Sequence, residues 1–149
     1  EYIPALYNIY NEILVNAKDQ CTRLNGLYSK DKSVNVVSEI KVEINHETGE
    51  ISIMNNGDGI DVAEHPKEKK NGKPIYIPQL IFGELLTSTN YNKNEQKVVG
   101  GKNGYGAKLT NIFSKSFKLE TVDAKRKKKY TQLFRGNMKV IQNYILERI

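Results

Sequence analysis

A single cysteine, Cys21, leaves no possibility of an intrachain disulfide and no cysteine-based zinc site. Reducing intracellular surroundings suit such a chain best. Only two histidines occur, His46 and His65, and no short spacing joins them at a metal. No apolar run approaches the roughly 20 residues needed to cross a bilayer, and no signal-peptide pattern opens the sequence, so no membrane partner is expected. Internal repeats and low-complexity tracts are also missing. The glycine-bearing runs match neither the Walker pattern nor the GxGxxG fingerprint. Disulfide scaffolds, zinc fingers, membrane spans, P-loops and Rossmann sites therefore drop out.

What is present is a domain-sized chain of 149 residues, long enough to bury roughly two thirds of its unfolded surface. Because Glu1 rather than Met comes first and a helical pattern starts at Pro4, the chain is expected to be an excerpt of a longer protein. The net charge of +6 suits a polyanionic partner such as a nucleotide or DNA. The excess gathers at Lys67, Lys69, Lys70 and Lys73, and again at Lys125, Arg126, Lys127, Lys128 and Lys129. Either run serves equally as a solvated loop or strand turn, or as a phosphate-neutralising patch.

Leu6, Ile9, Tyr10, Ile13, Leu14, Ala17 and Cys21 recur at three- and four-residue steps, which predicts an amphipathic helix from Pro4 to about Arg23. Asn25 and Gly26 are expected to end it. Ile40, Val42 and Ile44 alternate as a half-buried strand, His46–Gly49 turns the chain, and Ile51 and Ile53 return it as a hairpin. A lysine-rich loop to Pro74, a short helix through Leu80–Leu86 and a mobile segment over Thr87–Gly101 follow. Helical spacing resumes from Gly104 to about Ser114. Phe117–Thr121 and Tyr130–Phe134 read as paired strands, and Val140–Ile149 as a final helix. This order predicts an α+β fold, a two-layer sandwich whose helices cover one face of a mainly antiparallel or mixed sheet.

Three stretches carry candidate chemistry. At 100° per residue Glu12, Asn16, Asp19 and Arg23 share a stripe opposite the apolar face of the first helix, which is either its wet side or a polar site. Asn55-Asn56-Gly57-Asp58-Gly59-Ile60 ends a strand; it is a turn, or a place where the main chain approaches a ligand and a short side chain reads a base edge. Gly100–Lys108 puts glycines ahead of a helix, where successive N–H groups and the helix dipole attract polyphosphate.

Taken jointly, Glu-x-x-x-Asn on a helix, Asn-x-Gly-x-Gly at a strand end and a glycine-rich run opening a helix resemble the three motifs of the GHKL ATPases. The runs Glu12–Ala17, Asn55–Ile60, Leu80–Tyr91 and Gly100–Asn111 are similar to the eukaryotic-type topoisomerase II family within that class. The resemblance spans Tyr2 to about Met138 and is weakest over Leu24–Val37 and Glu64–Pro74. It implies ATP and Mg2+ as cofactors, with Glu12 as general base, Asn16 as the Mg2+ ligand and Asp19 bracing it. Asn55 would recognise adenine, and Ser88, Thr89 and Asn90 would line the ribose and phosphate side. Gly101, Lys102, Asn103, Gly104, Tyr105, Gly106, Ala107 and Lys108 would wrap the phosphates. The resemblance further implies a nuclear enzyme that acts on DNA as a homodimer. The excerpt, a single domain core over 1–149, lacks the N-terminal strap and the transducer domain with its phosphate-touching lysine. Weak activity, poor dimerisation and a missing segment near 138–140 are therefore expected. Another GHKL ATPase, such as a MutL-type repair protein or a chaperone, is the first alternative. A non-enzymatic basic DNA-binding module is the second.

Overall fold

The computed structural model describes residues 3–84 and 106–149. The segment expected to be mobile, Thr87–Gly101, lies outside the described residues. The chain divides into two compact units, Glu1–Asp58 and Gly59–Ile149. Helices accompany antiparallel strand pairs throughout, as an α+β fold requires.

In the first unit, α1 (Pro4–Tyr28) precedes a hairpin of β1 (Ile40–Asn45) and β2 (Glu50–Asn55). The helix runs more than a turn beyond its expected end. Gly26 costs about 1 kcal/mol in a helix, but Leu24 is buried against Val34 and Val37, and that burial carries the helix past it. Ser29 then closes the end, its N–H donating to the Asn25 carbonyl and its Oγ to that of Gly26. Cys21 packs against the same cluster, as its position on the apolar side predicts. The β1–β2 turn forms as expected, with Asn45 Oδ1 accepting from the N–H groups of Glu47 and Thr48. Burial is the correction here. Ile53 is half-buried, whereas β1 is exposed along its whole length, because α1 packs on β2 and leaves β1 as an edge.

The second unit begins with a departure from expectation. The lysine-rich stretch is a hairpin, not a loop: β3 (Glu64–Lys70) pairs with β4 (Lys73–Tyr76). Asn71 and Gly72 both adopt positive φ, 50° and 77°, so the two-residue connection has the twist that hairpins favour. Pro66 cannot donate to a ladder, and the register shifts around it between Glu64 and Lys69. His65 Nδ1 fills the gap by accepting from the N–H groups of Lys67 and Glu68.

Helix α2 (Ile77–Gly83) follows, and the described chain resumes in α3 (Gly106–Ile112). Next, β5 (Ser116–Asp123) pairs with β6 (Lys128–Arg135) through a turn that holds Lys125, Arg126 and Lys127. The final helix predicted over Val140–Ile149 is instead two strands, β7 (Val140–Ile141) and β8 (Ile145–Arg148), both along the other edge of β6. Phe134 faces Ile141 and Thr131 faces Ile145, so one extra residue bulges out between them. Val, Ile and Tyr dominate this stretch and favour a pleated surface, and the open edge of β6 supplies the ladder.

Strict alternation buries Leu119, Thr121 and Asp123 of β5 opposite Gln132, Tyr130 and Lys128 of β6, with Phe134 completing the row. Val62, Leu119, Tyr130 and Phe134 form the core, and α2 joins it through Phe82, whose ring lies 5.9 Å from that of Phe117. Polar members are satisfied: Gln132 Nε2 donates to Gln79 Oε1 and to the Gln142 carbonyl, and the Tyr130 hydroxyl donates to Gln132 Oε1. The chain entering the unit is pinned along β5 by side chains. Thr121 Oγ1 accepts from the Ile60 N–H and Asp123 Oδ2 from the Val62 N–H, each at 2.9 Å. Gly59 lies so close that a Cβ there would strike Thr121 Oγ1 and the Val122 carbonyl.

Asp123 also accepts from the Arg126 N–H and guanidinium, and Arg126 reaches Asp61. Burial opposes its ionisation, but the Val62 and Arg126 hydrogen bonds outweigh that and hold its carboxyl below the usual range. A depressed folded pKa contributes stability above the unfolded carboxyl value of about 4, and that contribution disappears as pH falls through the folded value. Asp123→Asn is therefore expected to lower unfolding free energy by about 1–3 kcal/mol at pH 7. In denaturant titrations the gap from the parent should narrow steadily below about pH 4; a gap independent of pH would contradict this account.

Candidate functional site

In the first unit α1 carries Glu12, Asn16 and Asp19 on one stripe, with Glu12 exposed and Asn16 and Asp19 half-buried. Their side chains take no hydrogen bond or ion pair among the described residues. Arg23, on the same stripe, is held locally by Gln20 Oε1 at 3.0 Å.

The run after β2 separates into side chains that build the loop and one that does not. Asn56 Oδ1 accepts from the N–H groups of Ser38 and Glu39, both at 3.0 Å, and its Nδ2 donates to Ser38 Oγ. Asp58 accepts from the Asn35 N–H and from Asn35 Nδ2, and its carbonyl accepts from Gln20 Nε2. Asn55, half-buried at the last position of β2, has a carboxamide with no partner among the described residues. The repeated Asn and Asp of this turn are thus structural apart from the first.

In the second unit Gly106, Ala107 and Lys108 open α3. Lys108 is only 4% exposed and forms no ion pair among the described residues. Burial pushes its ammonium pKa down, and the neighbouring charge of Glu84 restores part of the loss. Glu84 itself accepts from Lys70 Nζ and Gln79 Nε2, each at 2.8 Å. A buried ammonium without a bonded carboxylate is suited to an incoming anion. Ser88, Thr89, Asn90 and Gly101 to Tyr105 (Gly101, Lys102, Asn103, Gly104, Tyr105) lie outside the described residues.

Sequence reasoning did not single out Asn111, which is fully buried on α3. Its Nδ2 donates to the Phe82 carbonyl at 2.9 Å, and its Oδ1 has no hydrogen-bond partner among the described residues. An amide amid Leu109, Ile112 and Phe113 was the available signal. Of the basic run at 125–129, Arg126 is taken by Asp61 and Asp123, and Lys129 lies between Glu120 and Glu147. His46, His65 and the described carboxylates form no cluster able to hold a metal.

The division of labour after β2 is testable by substitution. Asn56→Ala should cost about 1 kcal/mol, because it removes hydrogen bonds to two exposed backbone donors that water only partly replaces. Asn55→Ala should stay within about 0.5 kcal/mol of the parent. Thermal melts of the two variants check this, and equal losses would mean that Asn55 is structural too.

The chain is 53% identical over 137 residues to DNA topoisomerase 2 of Acanthamoeba polyphaga mimivirus and 50% identical over 137 residues to that of Pisum sativum. Each alignment covers 92% of the chain but only 10% and 8% of those proteins, so the chain spans about a tenth of their length. Among solved structures, the ATPase and transducer domains of DNA topoisomerase II from Balamuthia mandrillaris superpose with a TM-score of 0.76 at 44% identity. That match covers 99% of this chain and 34% of the other. The ATPase region of Saccharomyces cerevisiae topoisomerase II gives a TM-score of 0.75 at 43% identity, covering 99% and 35%. Residues 1–141 match the family model for histidine kinase-, DNA gyrase B- and HSP90-like ATPases, and the chain belongs to that family.

Proposed function

We propose that this chain is the nucleotide-binding core of an ATP-dependent type II DNA topoisomerase. In that enzyme, ATP binding and hydrolysis would close a dimeric gate and drive one duplex through another. The observation that carries the reading is Asn55: in a turn whose other polar side chains are engaged, its carboxamide alone is left to meet a ligand. A carboxamide both donates and accepts, as recognition of an adenine edge requires.

The remaining donor set fits ATP with Mg2+. Lys108 is a buried ammonium, and its chemistry matches phosphate oxygens. Asn16 offers an amide oxygen to a hard cation, and Asp19 lies one turn along the helix to brace it. When bound, Mg2+ would neutralise phosphate charge. Glu12 is assigned to hold the attacking water and take its proton, a role open to an exposed carboxylate that forms no ion pair among the described residues. Ser88, Thr89 and Asn90 are assigned to the ribose and phosphate side, and the Gly101–Lys108 backbone to the phosphates. The chemistry would then rest on alignment and charge stabilisation rather than on covalent intermediates.

As a core of about a tenth of such an enzyme, the chain would act with further segments, an N-terminal strap and a transducer lysine among them, in a nuclear homodimer on DNA. No described helix is long and apolar enough to cross a membrane.

Titration of the chain with adenylyl imidodiphosphate and Mg2+ should raise its melting temperature, and Asn55→Ala or Gly104→Val should remove that rise. Stabilisation by duplex DNA alone, indifferent to both substitutions, would overturn the reading in favour of a basic DNA-binding module. In the full-length enzyme Glu12→Ala should keep nucleotide binding and lose turnover by roughly 10²–10⁴-fold. Parental turnover in that variant would remove Glu12 from the role of base.

A further inference from the structure

The half-satisfied carboxamide of Asn111 has a consequence for Lys108. Its orientation is fixed chemically: the Phe82 carbonyl can only accept, so the nitrogen must face it and the oxygen must face the place with no donor. A buried acceptor left unmet is destabilising, and an apolar side chain of similar volume would avoid that cost. The amide is therefore not a space filler, and its N–H is the group that acts.

That N–H joins the last turns of two short helices, since Phe82 lies next to the end of α2 and Asn111 next to the end of α3. At seven residues α3 has little stability of its own, so its roll about its axis is decided by what it is bonded to. Lys108 stands three residues before Asn111 and so on the same side of the helix. Any rotation that breaks the Asn111–Phe82 bond swings Lys108 with it.

We propose that Asn111 is a positioning residue of the nucleotide site: its hydrogen bond to the Phe82 carbonyl sets the roll of α3 and holds Lys108 in the buried orientation that meets phosphate. This rests on the reading of Lys108 as a phosphate contact.

The test uses Asn111→Leu, which keeps the branched shape of the side chain at a somewhat larger volume and removes both the donor and the unmet acceptor, with Asn111→Ala as a smaller alternative should the leucine fail to fold. One readout needs no nucleotide: the rate at which a small N-hydroxysuccinimide ester acylates Lys108, followed by mass spectrometry. The other is affinity for adenylyl imidodiphosphate with Mg2+. The variant is expected to melt within a few degrees of the parent, to acylate Lys108 several-fold faster and to bind the analogue roughly 10-fold more weakly, the loss of one oriented charged contact. A purely structural role would lower the melting temperature but leave acylation and affinity, corrected for folded fraction, unchanged; that result overturns the proposal. Faster acylation in a protein whose parent binds no analogue would uphold control of Lys108 by Asn111, while refuting the nucleotide reading.

Discussion

The buried carboxylate of Asp123 is the constraint from which the second unit is built. It holds the Val62 N–H and the Arg126 side chain, and with Thr121 it lays the incoming chain along β5 by side-chain bonds where no ladder partner exists. The Ala63 carbonyl, next in line, accepts from the Ile77 N–H and fixes the start of α2. The end of α2 in turn receives Asn111 of α3. The position of Lys108 is thus the last term of a series that begins at a single carboxylate, each step a hydrogen bond to a backbone group.

The first unit uses the same economy at a smaller scale. Leu24, Val34 and Val37 give its loop an apolar anchor, and Asn35, Asn56 and Asp58 tie the loop to the end of β2. These contacts leave the Asn55 carboxamide without a partner among the described residues.

Most of the elements were legible because their patterns are local. Alternation at Phe117–Thr121 and three- and four-residue steps at Leu6–Cys21 each have one sensible reading. The errors arose where distant contacts decide. Leu24 extends α1 past Gly26 through packing that no local propensity reveals. Val140, Ile141, Tyr144 and Ile145 are spaced like a helix face, yet a strand with one bulge produces the same spacing, and only the open edge of β6 distinguishes them. The β3–β4 hairpin was missed although Asn71-Gly72 announces it, because lysines hid the alternation around it. The sequence pointed to Asn55 and Lys108 by motif, but the loop-building part of Asn56, whose chemistry is identical to that of Asn55, depends on its contacts with Ser38 and Glu39. Asn111 showed only as an amide among apolar neighbours, and its importance is a matter of what lies across from it.

The inward row of β6 is not uniformly apolar: Tyr130, Gln132 and Phe134 alternate with Lys129, Thr131 and Leu133 on the other side. Sliding that strand by one position would turn Lys129 into the interior and strip Gln132 of Gln79 and the Gln142 carbonyl together. A glutamine amid aromatic rings thereby works as a combination lock during assembly. Mispaired hairpins meet an ionic and a hydrogen-bonding penalty at once, which favours the one alignment.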